Sequence, residues 1–202
     1  MNSNNAIDAA TFLDRLRSTT SQSHTNLEKL PLSLSIVNPA VTEKEYAHYL
    51  SLMHDLVKDA EVNIFPLLSD IVPDLGQRNK ALIIEKDLNI LGQSKSDYSR
   101  PLSVEAVGST PAFALGIMYV IEGSTLGGRF ILKNITEALG HTAEHGAAYF
   151  AGYGNATGSR WKSFLNMMVQ YEEEHGREDD IIAGANYAFD AIHNHFTKNT
   201  YQ

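Results

Sequence analysis

The chain has 202 residues, 43% of them hydrophobic, with no cysteine and a formal net charge of −8 at pH 7. That length and apolar content suffice for one domain with a substantial core, and the missing thiols exclude disulfides, thiolate nucleophiles and thiolate metal ligands. The negative charge, with no basic run to offset it, opposes a phosphate backbone, so nucleic acid is not an expected partner.

Helical periodicity dominates and no stretch alternates between turns as a hairpin would, so the expected fold is all-α. A first helix is predicted over Asp8 to Lys29, where Leu13, Leu16, Thr20 and Leu27 share a face and Pro31 ends the pattern. A loop through Asn38-Pro39 follows. Thr42-Glu43-Lys44-Glu45 forms a capping box before a long helix with the stripe Tyr46, Tyr49, Leu50, Met53, Val57, Ala60 and Ile64, finishing near Pro66. Pro73 suits the first turn of a third helix that stops near Gly92, and residues 93–109 read as a linking loop.

Thr110-Pro111 is a cap with a first-turn proline. It opens the apolar run Ala112 to Ile121, which leads into Glu122-Gly123-Ser124-Thr125-Leu126-Gly127-Gly128; the helix is predicted to continue, kinked by these glycines, to Leu139. At about 3.6 residues per turn, Gly116, Gly123 and Gly127 fall on one stripe, and each internal glycine costs ~1 kcal/mol against alanine. Such a stripe serves tight packing between helices, marks a helix that simply ends at Gly123, or leaves bare backbone against something flat or close. Residues 141–155 read as irregular, and Thr157 to His175 and Glu178 to Lys198 as two last helices. The expected architecture is a single-domain multi-helix bundle over residues 1–202, with 1–7 and 199–202 as unstructured ends. The polar start lacks a signal-peptide pattern and the apolar run is too short to cross a bilayer, so a cytoplasmic protein without a membrane partner is expected.

Among the eight histidines, His24 sits at the edge of the first helix's apolar face, with Glu28 one turn later to orient the imidazole. Arg17 lies two turns earlier, and Arg160 and Lys162 flank Trp161; these cations suit carboxylates at a pocket mouth. A competing di-iron reading rests on Glu45 with His48 and Glu172 with His175, but His48 points away from its helix's apolar stripe. The glycine segment follows a helix rather than a strand and lacks both a Gly-Lys-Ser/Thr ending and a Gly-x-Ser-x-Gly frame, so it supports neither a phosphate loop nor a serine nucleophile.

His24-Thr25-Asn26-Leu27-Glu28, then Tyr119-Val120-Ile121-Glu122-Gly123-Ser124-Thr125-Leu126-Gly127-Gly128, then Gly158-Ser159-Arg160-Trp161-Lys162-Ser163-Phe164-Leu165 occur in this order. Together they resemble the bacterial biliverdin-producing heme oxygenases, over roughly residues 10 to 198. The resemblance implies that His24 is the proximal ligand of heme iron with Glu28 in support. It implies that Gly123, Ser124 and Gly127 form the distal, catalytic side, with Gly128 in the same heme-binding segment, and that Arg17 and Lys162 face the propionates with Tyr119 nearby. Heme would be both substrate and cofactor, cleaved with O2 and external electrons to biliverdin, carbon monoxide and ferrous iron. A ferredoxin or flavoprotein reductase would be the partner. Two positions depart from relatives: Ser124 stands where the animal enzymes carry an aspartate, and Asn166 where some relatives carry a second propionate-binding arginine. A heme-sequestering protein of the same fold that does not oxidise its ligand is the alternative these departures motivate.

Overall fold

The structure, a computed structural model, describes residues 3–106 and 108–200, residues 3–10 by their backbone alone. The described residues form eight α-helices and no strand: α1 (Ser3–Glu28), α2 (Pro31–Ile36), α3 (Glu43–Asp59), α4 (Ala81–Ile90), α5 (Pro111–Gly123), α6 (Gly128–Leu139), α7 (Thr157–His175) and α8 (Glu178–Lys198). The all-α expectation holds.

The ends differ from expectation. Residues 3–7 belong to α1, and Asn199 is tied in by His48, whose Nε2 lies 2.7 Å from its carbonyl; Met1, Asn2, Tyr201 and Gln202 lie outside the described residues. Pro31 both stops α1 and opens α2, a six-residue helix where a loop is predicted, because proline fits the first helical position, where an N–H has no partner in any case. The capping box forms as read: Thr42 Oγ1 accepts from Glu45 N at 3.3 Å and Glu45 Oε2 from Thr42 N at 2.8 Å. Past α3 the chain stays helical through a π turn (Ala60–Ile64) and a 3-10 turn (Phe65–Leu68), and this change of winding absorbs Pro66.

The third long helix starts at Ala81 rather than at Pro73. Residues 75–77 make one 3-10 turn, Arg78 and Lys80 turn inward to charged partners, and the Glu61 carboxylate caps α4 by accepting from Lys80 N and, at 2.8 Å, from Ala81 N. The following linker is irregular and held by buried carboxylates. Asp59 accepts from Leu102 N at 2.7 Å and Ser103 N at 2.8 Å, and Asp55 meets Lys95 at 2.7 Å. Burial pushes the Asp55 carboxyl up, but His195 and Lys95 overrule it and bring its pKa down to about 2.

α5 is apolar on nearly every face, and such a helix belongs in the middle. It packs most extensively on α8, which also packs against α1. The crossing is close because glycines meet: a Cβ added at Gly116 would lie 2.0 Å from the Ile181 carbonyl oxygen, and one at Gly184 2.0 Å from that of Phe113. The continuous kinked helix predicted through Gly128 is instead two helices, α5 and α6, separated by one 3-10 turn, Ser124–Leu126. α6 stops as expected at Gly140, which takes the left-handed conformation that glycine adopts without strain.

Candidate active site

A cavity of about 830 Å³ opens between α1 and the α5–α6 break, with floor and sides from α3 and α8. That lies within the roughly 300–1,000 Å³ common for small-molecule sites. The walls are chiefly apolar, through Tyr49, Met53 and Leu56 of α3, Trp161 of α7, and Phe189, Ile192 and Phe196 of α8.

Seven of the residues singled out from sequence meet here: Arg17, His24, Glu28, Tyr119, Gly123, Ser124 and Gly127 all line the cavity. His24 projects from α1 with its ring edge-on to Phe189, 5.9 Å between centroids, and its Nδ1 lies 3.6 Å from Glu28 Oε2. One ring nitrogen thus faces a carboxylate, which leaves Nε2, on the other side of the ring, free to coordinate. Across the cavity, a Cβ at Gly123 would meet nothing nearer than Trp161 at 3.6 Å, and one at Gly127 only the Ser124 carbonyl at 3.9 Å. Their missing side chains therefore leave open space with bare backbone beside it.

Tyr119 sits next to Arg17 and within hydrogen-bonding reach of Thr20; burial raises its pKa, against the Arg17 charge, which lowers it. Arg17 itself is largely exposed and paired with Asp14 at 3.3 Å. Ser124 Oγ donates to the Ile121 carbonyl at 2.7 Å, so its single proton is committed to backbone. Its oxygen remains an acceptor, near the buried Tyr149 hydroxyl.

Gly128 and Lys162 stand elsewhere. A Cβ at Gly128 would lie 2.6 Å from the Phe150 carbonyl oxygen, so this glycine admits the 149–151 turn rather than a ligand. Lys162 is exposed on α7, one residue beyond Trp161, outside the cavity wall; Asn166 is also exposed there. The di-iron pairs do not assemble. Glu45 is spent on its cap, His48 bonds Asn199, and His175 stacks on Tyr171 with Nδ1 2.9 Å from its carbonyl. Among the described residues no group of three or more His, Asp or Glu side chains gathers to hold a metal.

Behind the glycine break lies a charged cluster that sequence reading missed. Glu122, 1% exposed, accepts from Arg78 Nη1 at 2.6 Å and from the Tyr153 hydroxyl at 2.8 Å, with Lys80 Nζ at 3.7 Å. Arg78, fully buried, also grips Asp74 through two nitrogens at 2.8 and 3.0 Å, and Arg160 joins Asp74 at 2.6 Å. The available signal was a carboxylate at the end of an apolar run, because a buried charge requires a partner.

The heme oxygenase family model matches residues 10–198 of this chain. A heme oxygenase of Xanthomonas campestris is 30% identical over 149 residues, covering 73% of this chain and 86% of the relative. The heme oxygenase PigA of Pseudomonas aeruginosa is 28% identical over 180 residues, covering 87% and 86%. The fold is similar to that of the heme oxygenase of Leptospira interrogans (TM-score 0.78, 15% identity, 93% of this chain and 98% of that one). It is similar also to that of the Neisseria meningitidis heme oxygenase, solved with NO and CO bound (TM-score 0.74, 23% identity, 93% and 91%). The heme oxygenase-1 of the cyanobacterium Synechocystis, solved with heme, shares it too (TM-score 0.70, 19% identity, 93% and 91%). With its family match running across all eight helices, the chain belongs to the heme oxygenase family, whose members degrade heme.

Proposed function

We propose that the cavity binds heme between His24 and the α5–α6 break, and that the protein, acting as a single domain, cleaves it with O2 to biliverdin, carbon monoxide and ferrous iron. Electrons come from a ferredoxin or flavoprotein reductase, and the reading places the protein in the cytoplasm with that donor. The observation that carries it is the opposition of a carboxylate-backed histidine to two glycines with open space, across an apolar cavity of suitable volume.

The residues present fit the group. His24 Nε2 would hold the iron, with Glu28 behind Nδ1 to set the ring's orientation. Arg17 at the mouth, with Tyr119 beside it, receives propionate carboxylates. Lys162, next to Trp161 in sequence, adds an exposed cation on a flexible stem. The aromatic walls exclude water from the macrocycle. Heme supplies the redox-active iron at which O2 is activated. Gly123 and Gly127, whose missing side chains leave open space beside their peptide groups, would let the backbone approach bound heme and limit which ring edge is open to attack. Ser124, with its proton on the Ile121 carbonyl, offers the cavity an acceptor oxygen on which a proton-carrying water could be held.

Hemin titration followed optically, with and without His24→Ala, tests the assignment, and oxygen with a reductant then tests turnover. The wild type should give a defined Soret band and bile pigment, and the variant an altered band and at least about tenfold weaker turnover. An unchanged spectrum in the variant overturns the role of His24 in holding the iron. Stable heme without pigment favours sequestration, the reading that Ser124's committed proton supports.

A further inference from the structure

Two cavity-lining residues, Gly123 and Trp161, each follow in sequence a member of one buried ionic cluster, Glu122 and Arg160. The glycines that make the break open also make it soft, since residues without side chains add little to hold the backbone in place. Something outside the cavity must fix which peptide groups face inward. Successive side chains on a helix point about 100° apart, so holding Glu122 fixes the rotation of α5 at its last turn and with it the direction Gly123 faces.

The grip on Glu122 comes from three sides. Arg78 donates to Oε2 at 2.6 Å, the Tyr153 hydroxyl donates to Oε1 at 2.8 Å, and Lys80, which bonds Tyr153, stands 3.7 Å from Oε1. Those holders are themselves fixed. Arg78 is forked onto Asp74, which also binds Arg160, and Lys80 Nζ donates to the Arg78 carbonyl at 3.1 Å. Burial, with the Glu122 charge beside it, raises the Tyr153 pKa, so the phenol stays a donor throughout the working range. Buried ion clusters add little net stability over apolar packing but can specify a unique geometry.

We infer that Glu122 is a positioning residue for the reaction: clamped by Arg78, Tyr153 and Lys80, it sets the inward face of the α5–α6 break and thereby which edge of the porphyrin is cleaved. The inference rests on the heme-cleavage reading. Its first readout does not, because Trp161 is the chain's single tryptophan and stands on the cavity wall beside Gly123.

The test compares Glu122→Gln and Tyr153→Phe with Asp59→Asn, which breaks another fully buried carboxylate network, the one holding Leu102 and Ser103 away from the cavity. In the ligand-free proteins, E122Q and Y153F should shift Trp161 emission and near-ultraviolet dichroism while far-ultraviolet dichroism stays native; D59N should shift neither. With heme, oxygen and reductant, the minor biliverdin isomer should rise on the order of tenfold in E122Q, the effect of biasing one charged hydrogen bond. D59N should keep the wild-type isomer pattern however far its melting temperature falls. A folded E122Q with native Trp161 signals and native isomers overturns the inference, as does a D59N that scrambles isomers equally. If E122Q does not fold, Y153F, which leaves the Arg78 pair intact, decides by the same criteria. If the wild type makes no bile pigment, the heme-cleavage reading fails, and the Trp161 signals alone decide whether Glu122 sets the break.

Discussion

Gly116 and Gly123 lie seven residues apart on one face of α5, yet a methyl group added to each meets opposite surroundings. At Gly116 it would stand 2.0 Å from the Ile181 carbonyl oxygen, inside the backbone of α8; at Gly123 the nearest atom is a Trp161 ring carbon at 3.6 Å. The first glycine lets two helices touch, and the second leaves cavity space open. One periodic stripe in the sequence therefore serves two purposes, and only the neighbours distinguish them.

Gly116→Ala should separate the two most sharply. Neither backbone can yield without moving a helix, so the change should cost about 3 kcal/mol or more, a fall in melting temperature on the order of 10 °C for a chain of this size. Gly184→Ala, which meets the Phe113 carbonyl at 2.0 Å, should cost as much. Thermal unfolding followed by circular dichroism measures both, and a native-like melting temperature in either would break the packing half of the contrast.

Gly123→Val should reverse the pattern. The backbone there is right-handed helical, φ −59° and ψ −33°, so a side chain is allowed, and valine differs from glycine in helix propensity by only a few tenths of a kcal/mol. The branched side chain enters the cavity, and hemin affinity should fall at least about tenfold while ligand-free stability stays within about 1 kcal/mol. Unfolding without loss of affinity would make Gly123 another packing glycine.

Gly128→Ala should fall between them. Its added carbon would lie 2.6 Å from the Phe150 carbonyl oxygen, but that oxygen belongs to a short 3-10 turn, which can shift more readily than a helix. A loss of about 1–2 kcal/mol with little change in hemin affinity is expected. A large affinity loss at native stability would restore Gly128 to the ligand-binding set that the family resemblance implies.

The stretches whose local signals agree were legible in the sequence. The Thr42 cap, the buried run of α5 and the stop at Gly140 all fall where capping and periodicity place them. What escaped depends on distant residues. Pro73 has the local signature of a helix start, but Arg78 and Lys80 are drawn to Glu122 and its neighbours, and the cap of α4 comes from Glu61, nineteen residues before Lys80. The same holds for the site. His24, Glu28, Arg17, Tyr119, Gly123, Ser124 and Gly127 share a cavity, whereas Gly128, the very next residue, faces the 149–151 turn because one helical step turns it away. Glu122 was in view as part of the motif, but no spacing reveals that its partners come from residues 78, 80 and 153.

Gly127→Ala should have the smallest effect, and it bears on the contrast most finely. The residue closes the 3-10 turn at φ −77° and ψ −14°, a conformation alanine adopts without strain, and the new carbon would meet only the Ser124 carbonyl at 3.9 Å. With no clash to offset it, the restriction of the unfolded chain should leave the variant unchanged or more stable by up to about 1 kcal/mol. One methyl group is small against a cavity of about 830 Å³, so hemin should still bind, within a few-fold of the wild type. On the proposed heme-cleavage reading the change should register instead in the isomers of biliverdin, because the methyl would stand on the cavity wall at the α5–α6 break. A stabilised variant with altered isomers would mean that the glycine is kept for what it leaves open at a cost in stability. A destabilised variant with native isomers would place Gly127 with Gly116 among the packing glycines, leaving Gly123 alone as the open wall.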